Sequence, residues 1–272
     1  MANSKFSLSG QCVVITGGLG ILGRHMALGF LDAGATVALI DMMDDTPART
    51  REMFGEQAES GRIRGFAFRI GSEADNAGIT EEIAGAMGPI HHLLNNAASK
   101  GPDLLRFMAG PDDMDAEVWN AVMDVNLSGA FFLSQAMAAH MREHGATASM
   151  TFVSSIYGSI APNPSLYASS NYMGTQINTP PIYSASKGGV VSLSRYLAGY
   201  WGRNGIRVNT LTPGGVQSGQ NDAFVSQYEA RTPLGRMGRV EDLVGPAVFL
   251  ASPAAGYITG TNLFVDGGFS CW

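Results

Sequence analysis

Short apolar runs rich in β-branched residues alternate with stretches of helical period along the whole chain, and this alternation constrains the fold more than any other feature. Its spacing predicts strands over Gln11–Thr16, Ala35–Asp41, Arg62–Ile70, His91–Asn95, Ala148–Ser154, Ile206–Leu211 and Asn262–Val265. Between them it predicts helices over Ile21–Leu31, Glu73–Met87, Ala116–Glu143, Tyr183–Gly202 and Glu241–Leu250. Apolar strands separated by helices can bury both faces only in a parallel sheet, so the expected fold is α/β: a doubly wound parallel sheet of about seven strands with helices on both faces. Ligands of such sheets lie at the carboxyl ends of the strands, where the winding direction reverses.

Composition removes several classes of function. With 45% hydrophobic and 15% charged residues the chain can bury a sizeable core. Its net charge of −6 and the lack of any basic run exclude general affinity for nucleic acid or acidic membranes. Cys12 and Cys271 stand at opposite ends, which fits a reducing, cytoplasmic setting and gives neither a disulfide framework nor a metal site. His91 and His92 read as strand packing, since no third ligand stands near them, so no metal is expected. No apolar stretch is long enough to span a membrane.

The turn after the first strand, Thr16-Gly17-Gly18-Leu19-Gly20-Ile21-Leu22-Gly23, suits a dinucleotide. Glycines let the backbone turn tightly against a pyrophosphate, and the helix that follows offers free N–H groups and a positive dipole end. Asp41, 18 residues beyond Gly23, ends the second strand, where its carboxylate can accept from both ribose hydroxyls and repel a 2′-phosphate. The expected cofactor is therefore NAD. Asn95, Asn96 and Ala97 follow the fourth strand and are expected beside the adenosine.

Tyr183-Ser184-Ala185-Ser186-Lys187 places a phenol and an ammonium four residues apart, on one helical face. An ordinary tyrosine titrates near pH 10, too high for a base at neutrality. A nearby cation favours the phenolate, as acid–base work requires. Tyr167 and Tyr172 compete for the role, but the residues four along are Asn171 and Gln176, which carry no charge.

In order along the chain stand the glycine turn, Asp41, Asn95-Asn96-Ala97-Ala98, Val125-Asn126-Leu127-Ser128-Gly129 and Val153-Ser154-Ser155-Ile156-Tyr157-Gly158. Tyr183–Lys187, Arg207-Val208-Asn209 with Pro213-Gly214-Gly215, and Thr259-Gly260 with Val265-Asp266-Gly267-Gly268 complete the series. Together they resemble the classical short-chain dehydrogenase/reductase family over nearly the whole length. The resemblance implies a single-domain Rossmann fold over residues 1–272 and an enzyme acting on a CH–OH group. It implies Tyr183 as acid/base, Lys187 holding the nicotinamide ribose and lowering the tyrosine pKa, and Ser155 bonding the substrate oxygen, with Ser154 the alternative. Asn126 would anchor a relay water. The cofactor set so implied comprises Gly17, Leu19, Gly20, Ile21, Leu22, Gly23, Asp41, Asn95, Asn96, Ala97, Tyr183, Lys187, Pro213, Gly214 and Val216.

The chain departs from the family pattern in four places. Gly20 and Gly23 stand three apart, Arg69-Ile70-Gly71 replaces the usual acid after the third strand, Ala98 replaces a glycine, and Val216-Gln217-Ser218 replaces a threonine. Ser155 and Tyr183 are separated by 28 residues, about twice the family's habit, through an insertion at about 162–181. The insertion and a lid at about 216–235 are rich in amides and hydroxyls, the equipment for a polyhydroxylated substrate. Asn171, Tyr172, Gln176, Gln220 and Arg231 are the expected contacts, Arg231 as a partner for an acidic group. This part of the chain is similar to family members acting on sugars and sugar acids, of the gluconate 5-dehydrogenase kind. The function expected is NAD-dependent hydride transfer from a secondary alcohol or hemiacetal of a sugar, sugar acid or sulfosugar. An NADPH-dependent 3-oxoacyl or ketone reductase and a non-catalytic nucleotide-binding regulator are the alternatives; an epimerase or dehydratase with tightly held NAD is a weaker one. Trp119, Phe131 and Phe132 on the long helix, with the apolar ending, imply a homotetramer or homodimer.

Overall fold

The computed structural model describes residues 5–145, 147–168, 170–172, 174–176 and 178–272; of Tyr172, Thr175 and Gln176 it describes the backbone alone. The strands are β1 (Cys12–Thr16), β2 (Thr36–Asp41), β3 (Ile63–Ala67), β4 (Ile90–Asn95), β5 (Ala148–Val153), β6 (Asn171–Tyr172), β7 (Thr175–Gln176), β8 (Ile206–Pro213) and β9 (Asn262–Val265). Seven of them form one parallel sheet in the order β3-β2-β1-β4-β5-β8-β9, while β6 and β7 pair as a small antiparallel ribbon inside the insertion.

The helices are α1 (Ile21–Asp32), α2 (Thr46–Phe54), α3 (Glu56–Glu59), α4 (Asn76–Met87), α5 (Leu104–Phe107), α6 (Ala116–Met123), α7 (Ala130–Glu143), α8 (Pro181–Trp201), α9 (Asp222–Glu229) and α10 (Glu241–Ala251). Successive strand residues point to opposite faces and fill two cores. Val14, Ala38, Ile40 and Leu93 pack on one side with α4, α7 and α8, whereas Val13, Ile15, Val37 and Leu94 pack on the other with α1 and α10. The chain winds outward one way from β1 through β2 to β3, and the other way from β4 onward. That places the switch point at the ends of β1 and β4, where the glycine turn and Asn96 lie.

Caps decide where helices begin. Asp75 accepts from the Gly78 N–H at 2.9 Å, so α4 begins at Asn76, three residues after the expected Glu73. Pro181 sits in the first turn of α8, where its missing N–H costs nothing, and starts that helix two residues before Tyr183. The expected long helix Ala116–Glu143 is broken into α6 and α7 by a π-helical segment, Asp124–Gly129. Such widened turns cluster at functional sites, and this one carries the buried Asn126.

Candidate active site

Gly17 turns the chain out of β1 at φ +63°, and a Cβ there would meet Ala97 Cα at 2.9 Å. A Cβ on Gly23 would lie 2.3 Å from Gly17 O, so the turn and the first helical turn are packed backbone to backbone. Thr16 Oγ1 accepts from the N–H groups of Asn96 and Ala97, both at 3.0 Å, tying β1 to β4 across the switch point. Asn96 Nδ2 returns bonds to the carbonyls of Thr16 and Gly17. Gly20 caps α1 without a side-chain bond, which leaves the first N–H groups of the helix for a ligand. Asp41 Oδ2 accepts from the Leu19 N–H at 3.1 Å and Oδ1 from the Met42 N–H at 2.9 Å, so the carboxylate is fixed at the rim. A groove of about 820 Å³ runs past these groups, lined by Gly17, Gly20, Ile21, Leu22, Asp41, Asn96, Ala97, Tyr183 and Val216 of the expected set. Glycines no side chain could replace, a free helix start and an oriented carboxylate fit an adenine dinucleotide.

Tyr183, one turn into α8, borders this groove and also a second cavity of about 500 Å³. Ser155 Oγ accepts from the Tyr157 N–H at 3.2 Å and opens into the second cavity, whereas Ser154 Oγ turns inward and donates to Lys187 O at 2.8 Å. Burial pushes the Tyr183 phenol above its ordinary value; the Ser155 hydroxyl acts the other way and Tyr167 adds to the rise. Lys187 is 5% exposed and its Nζ donates to Val153 O at 2.8 Å, 6.0 Å from the centre of the Tyr183 ring. Burial pushes the lysine down to about 8. Desolvation is the leading influence on the phenol within the protein alone; the expected lowering relies on the ammonium and on an oxidised nicotinamide together. Asn126 Oδ1 accepts from the Ser99 N–H at 2.7 Å and Nδ2 donates to Ser186 Oγ at 3.2 Å, which ties the π segment to the start of α8.

Beyond Ser155 the second cavity is walled by Ile156, Tyr157, Tyr167, Phe224, Tyr228 and Met237. Tyr167 comes from the insertion, and its ring lies 5.4 Å from that of Phe224 on α9, so insertion and lid pack together. Ser99 and Lys100 border both cavities.

A family model described as enoyl-(acyl carrier protein) reductase matches residues 20–270. D-arabinitol 2-dehydrogenase (ribulose-forming) of Candida tropicalis is 32% identical over 98% of this chain and 95% of that protein. Galactitol 2-dehydrogenase (L-tagatose-forming) of Cereibacter sphaeroides is 34% identical over 98% of each. A gluconate 5-dehydrogenase of Burkholderia cenocepacia, solved with NADP and tartrate, superposes with a TM-score of 0.86 at 30% identity over 100% of both chains. The chain belongs to the short-chain dehydrogenase/reductase family. It is thus an oxidoreductase acting on CH–OH groups, with a fold that binds a nicotinamide nucleotide.

Several expected residues stand elsewhere than this short-chain dehydrogenase's sequence suggests. Asn95 faces the core, donating to Ser134 Oγ at 2.9 Å, and leaves the groove to Asn96. Leu19 contributes only its N–H, to Asp41, and Gly23 is buried beneath the turn. Pro213 and Gly214 line the second cavity instead of the nucleotide groove. Arg231 donates to Ser165 Oγ at 2.7 Å and braces the lid on the insertion outside the cavity. Asn171 is exposed on the ribbon and also lies outside the cavity; the side chains of Tyr172 and Gln176 lie outside the described residues. Gln220 does line the cavity, but its amide is engaged by the Ser218 N–H and Val216 O. Phe107, Phe224 and Met237, which no motif or spacing singles out, complete the apolar wall. Among the described residues no group of three or more His, Cys, Asp or Glu is placed to hold a metal, and no helix is long and apolar enough to cross a membrane.

Proposed function

We propose that the chain oxidises a secondary alcohol of a sugar alcohol or sugar acid, with NAD as hydride acceptor and Tyr183 as the proton-transfer residue. One observation carries the reading: Tyr183 is shared by the nucleotide groove and the second cavity, with Ser155 beside it and Lys187 beneath. The bound nicotinamide supplies the electrophilic carbon that takes the hydride. Ser155 Oγ holds the substrate oxygen, and the Tyr183 oxygen accepts its proton as the carbonyl forms. Lys187, with one of its three protons committed to Val153 O, has two left for the ribose. Asn126, gripped by Ser99 and Ser186, is set to hold a water that passes the proton outward.

NAD is favoured over NADP because Asp41, fixed at the groove rim by the Leu19 and Met42 N–H groups, would accept from the ribose hydroxyls and repel a 2′-phosphate. The polyol and sugar-acid names of the relatives support the substrate class. The exposed, stacked Tyr196 and Tyr200 of α8, with Trp119 and Phe132, support assembly into a dimer or tetramer, and the free Cys12 and Cys271 suit a reducing cytoplasm. The test is NADH or NADPH formation by the purified protein over a panel of alditols, aldoses, aldonates and sulfosugars. Tyr183→Phe is expected to lower kcat at least a thousandfold. A Tyr183→Phe protein of full activity overturns the chemistry. Turnover confined to 3-oxoacyl thioesters with NADPH overturns the substrate class and cofactor.

A further inference from the structure

Three hydroxyls from separate segments form a row on the wall of the second cavity. Tyr167 Oη donates to Tyr157 Oη at 3.1 Å and pairs with Thr179 Oγ1 at 2.7 Å, and all three side chains line the cavity. Tyr167 has a single proton, given to Tyr157; Thr179 must therefore donate to Tyr167. Among the described residues Tyr157 Oη donates to no protein acceptor, which leaves the last proton of the row for a ligand. Tyr157 lines the same cavity as Ser155 and Tyr183 without being either, so it is available to a group of the substrate other than the reacting one. The row is held rigidly: Tyr167 is buried against Phe224, whose ring in turn packs on Tyr228. Burial drives the Tyr157 phenol up, out of the tyrosine range, so it stays a neutral donor.

The rest of the lining specifies the ligand further. Aromatic faces accept the C–H side of a carbon chain, and the hydroxyl row accepts its O–H side. Among the described lining residues the sole cation is Lys100, exposed and shared with the nucleotide groove, and there is no carboxylate. Arg231, the expected partner of an acid, stands outside the described lining, its Nη2 bonded to Ser165.

We propose that Tyr157, set by Tyr167 and Thr179, donates a hydrogen bond to a hydroxyl other than the one oxidised, and so selects polyhydroxylated chains over monohydroxy alcohols. The proposal rests on the dehydrogenase reading above. It makes the insertion a specificity element acting through one phenol.

The experiment compares kcat/KM for galactitol and 2-butanol in the wild type, Tyr157→Phe and Thr179→Val. In Tyr157→Phe the galactitol to 2-butanol ratio should fall about tenfold, through KM more than kcat, as loss of one neutral hydrogen bond to bound substrate predicts. Thr179→Val, which removes only the far end of the row, should shift the ratio the same way by about threefold. The rise in Tm produced by galactitol should shrink in both variants, a readout independent of turnover. An unchanged ratio and an unchanged galactitol shift overturn the proposal. A wild type that turns over no member of the wider panel with either cofactor overturns the dehydrogenase reading instead.

Discussion

Gly23 shows how a single hydrogen atom is decided by its neighbours. Inside a helix, glycine to alanine ordinarily gains about 1 kcal/mol. Here the added carbon would sit 2.3 Å from Gly17 O and 2.9 Å from Gly18 Cα, and backbone cannot swing aside as a flexible side chain does. Gly23→Ala is therefore expected to weaken dinucleotide binding at least tenfold and to lower stability despite the better propensity, checked by calorimetric titration and denaturant unfolding. Lys187 makes the second prediction at this scale. Its ammonium favours the Tyr183 phenolate, but burial holds the lysine itself to about 8, so that help is present below this pH and fades above it. Lys187→Met should shift the acid limb of the kcat/KM profile for oxidation upward by about one unit. The gap from wild type should be widest below pH 8 and close above it; two limbs that coincide would leave Lys187 with the ribose alone. That Tyr183 and Asp41 border the cavities was legible from their spacing relative to strands and helices, and that Ser155 does so from the family resemblance. Asn95, Asn171 and Arg231 were not, because adjacent polar residues point in opposite directions and a long guanidinium takes whichever acceptor the fold brings near.

At the level of elements, hydrophobic period located all seven strands of the main sheet to within a few residues. It could not see the break at Asp124–Gly129: the apolar stripe continues through both halves, while the extra residue that widens the turn leaves no compositional mark. The ribbon and α9 also escaped, being held by contacts between insertion and lid, such as Asn221 Nδ2 to Ser170 Oγ at 3.1 Å, more than by their own pattern. The expectation that His92 packs in its strand instead of binding metal can be tested by acid. Buried between Ser149 Oγ and Gln11 Oε1, each at 2.8 Å, it is pushed from 6.5 down to about 3, first by burial and then by His91 and Arg207. The fold holds it neutral, so its contribution is intact above pH 6.5 and is lost as pH falls toward 3. The full shift corresponds to about 5 kcal/mol at most, with relaxation taking part of it. His92→Gln should flatten the loss of stability between pH 6.5 and 4 in urea titrations, at some cost at pH 7. A slope as steep as the wild type's would place the acid sensitivity elsewhere.

For the molecule as a whole, the nucleotide groove is built from both halves of the sheet, since Thr16 and Asn96 sit on either side of the switch point and Tyr183 arrives from a third segment. A ligand in that groove binds only when the halves are folded together, so it stabilises the entire fold by mass action. At a hundred times its Kd a dinucleotide adds about 2.7 kcal/mol. For a chain of 272 residues that corresponds to a rise in Tm of about 5–10 °C. The size of the rise reports cofactor choice without any substrate being known. Asp41, fixed by the Leu19 and Met42 N–H groups, cannot turn away from a 2′-phosphate without giving up two backbone bonds. At equal millimolar concentrations NAD should therefore raise Tm by several degrees more than NADP. Asp41→Ser should reduce the NAD shift and enlarge the NADP shift, because it removes the charge that repels the phosphate along with the acceptor the ribose uses. Equal shifts by the two cofactors in the wild type would mean that Arg69 and Lys100, which line the same groove, neutralise the phosphate and cancel the discrimination; the NAD preference would then be withdrawn, with the oxidoreductase chemistry left standing.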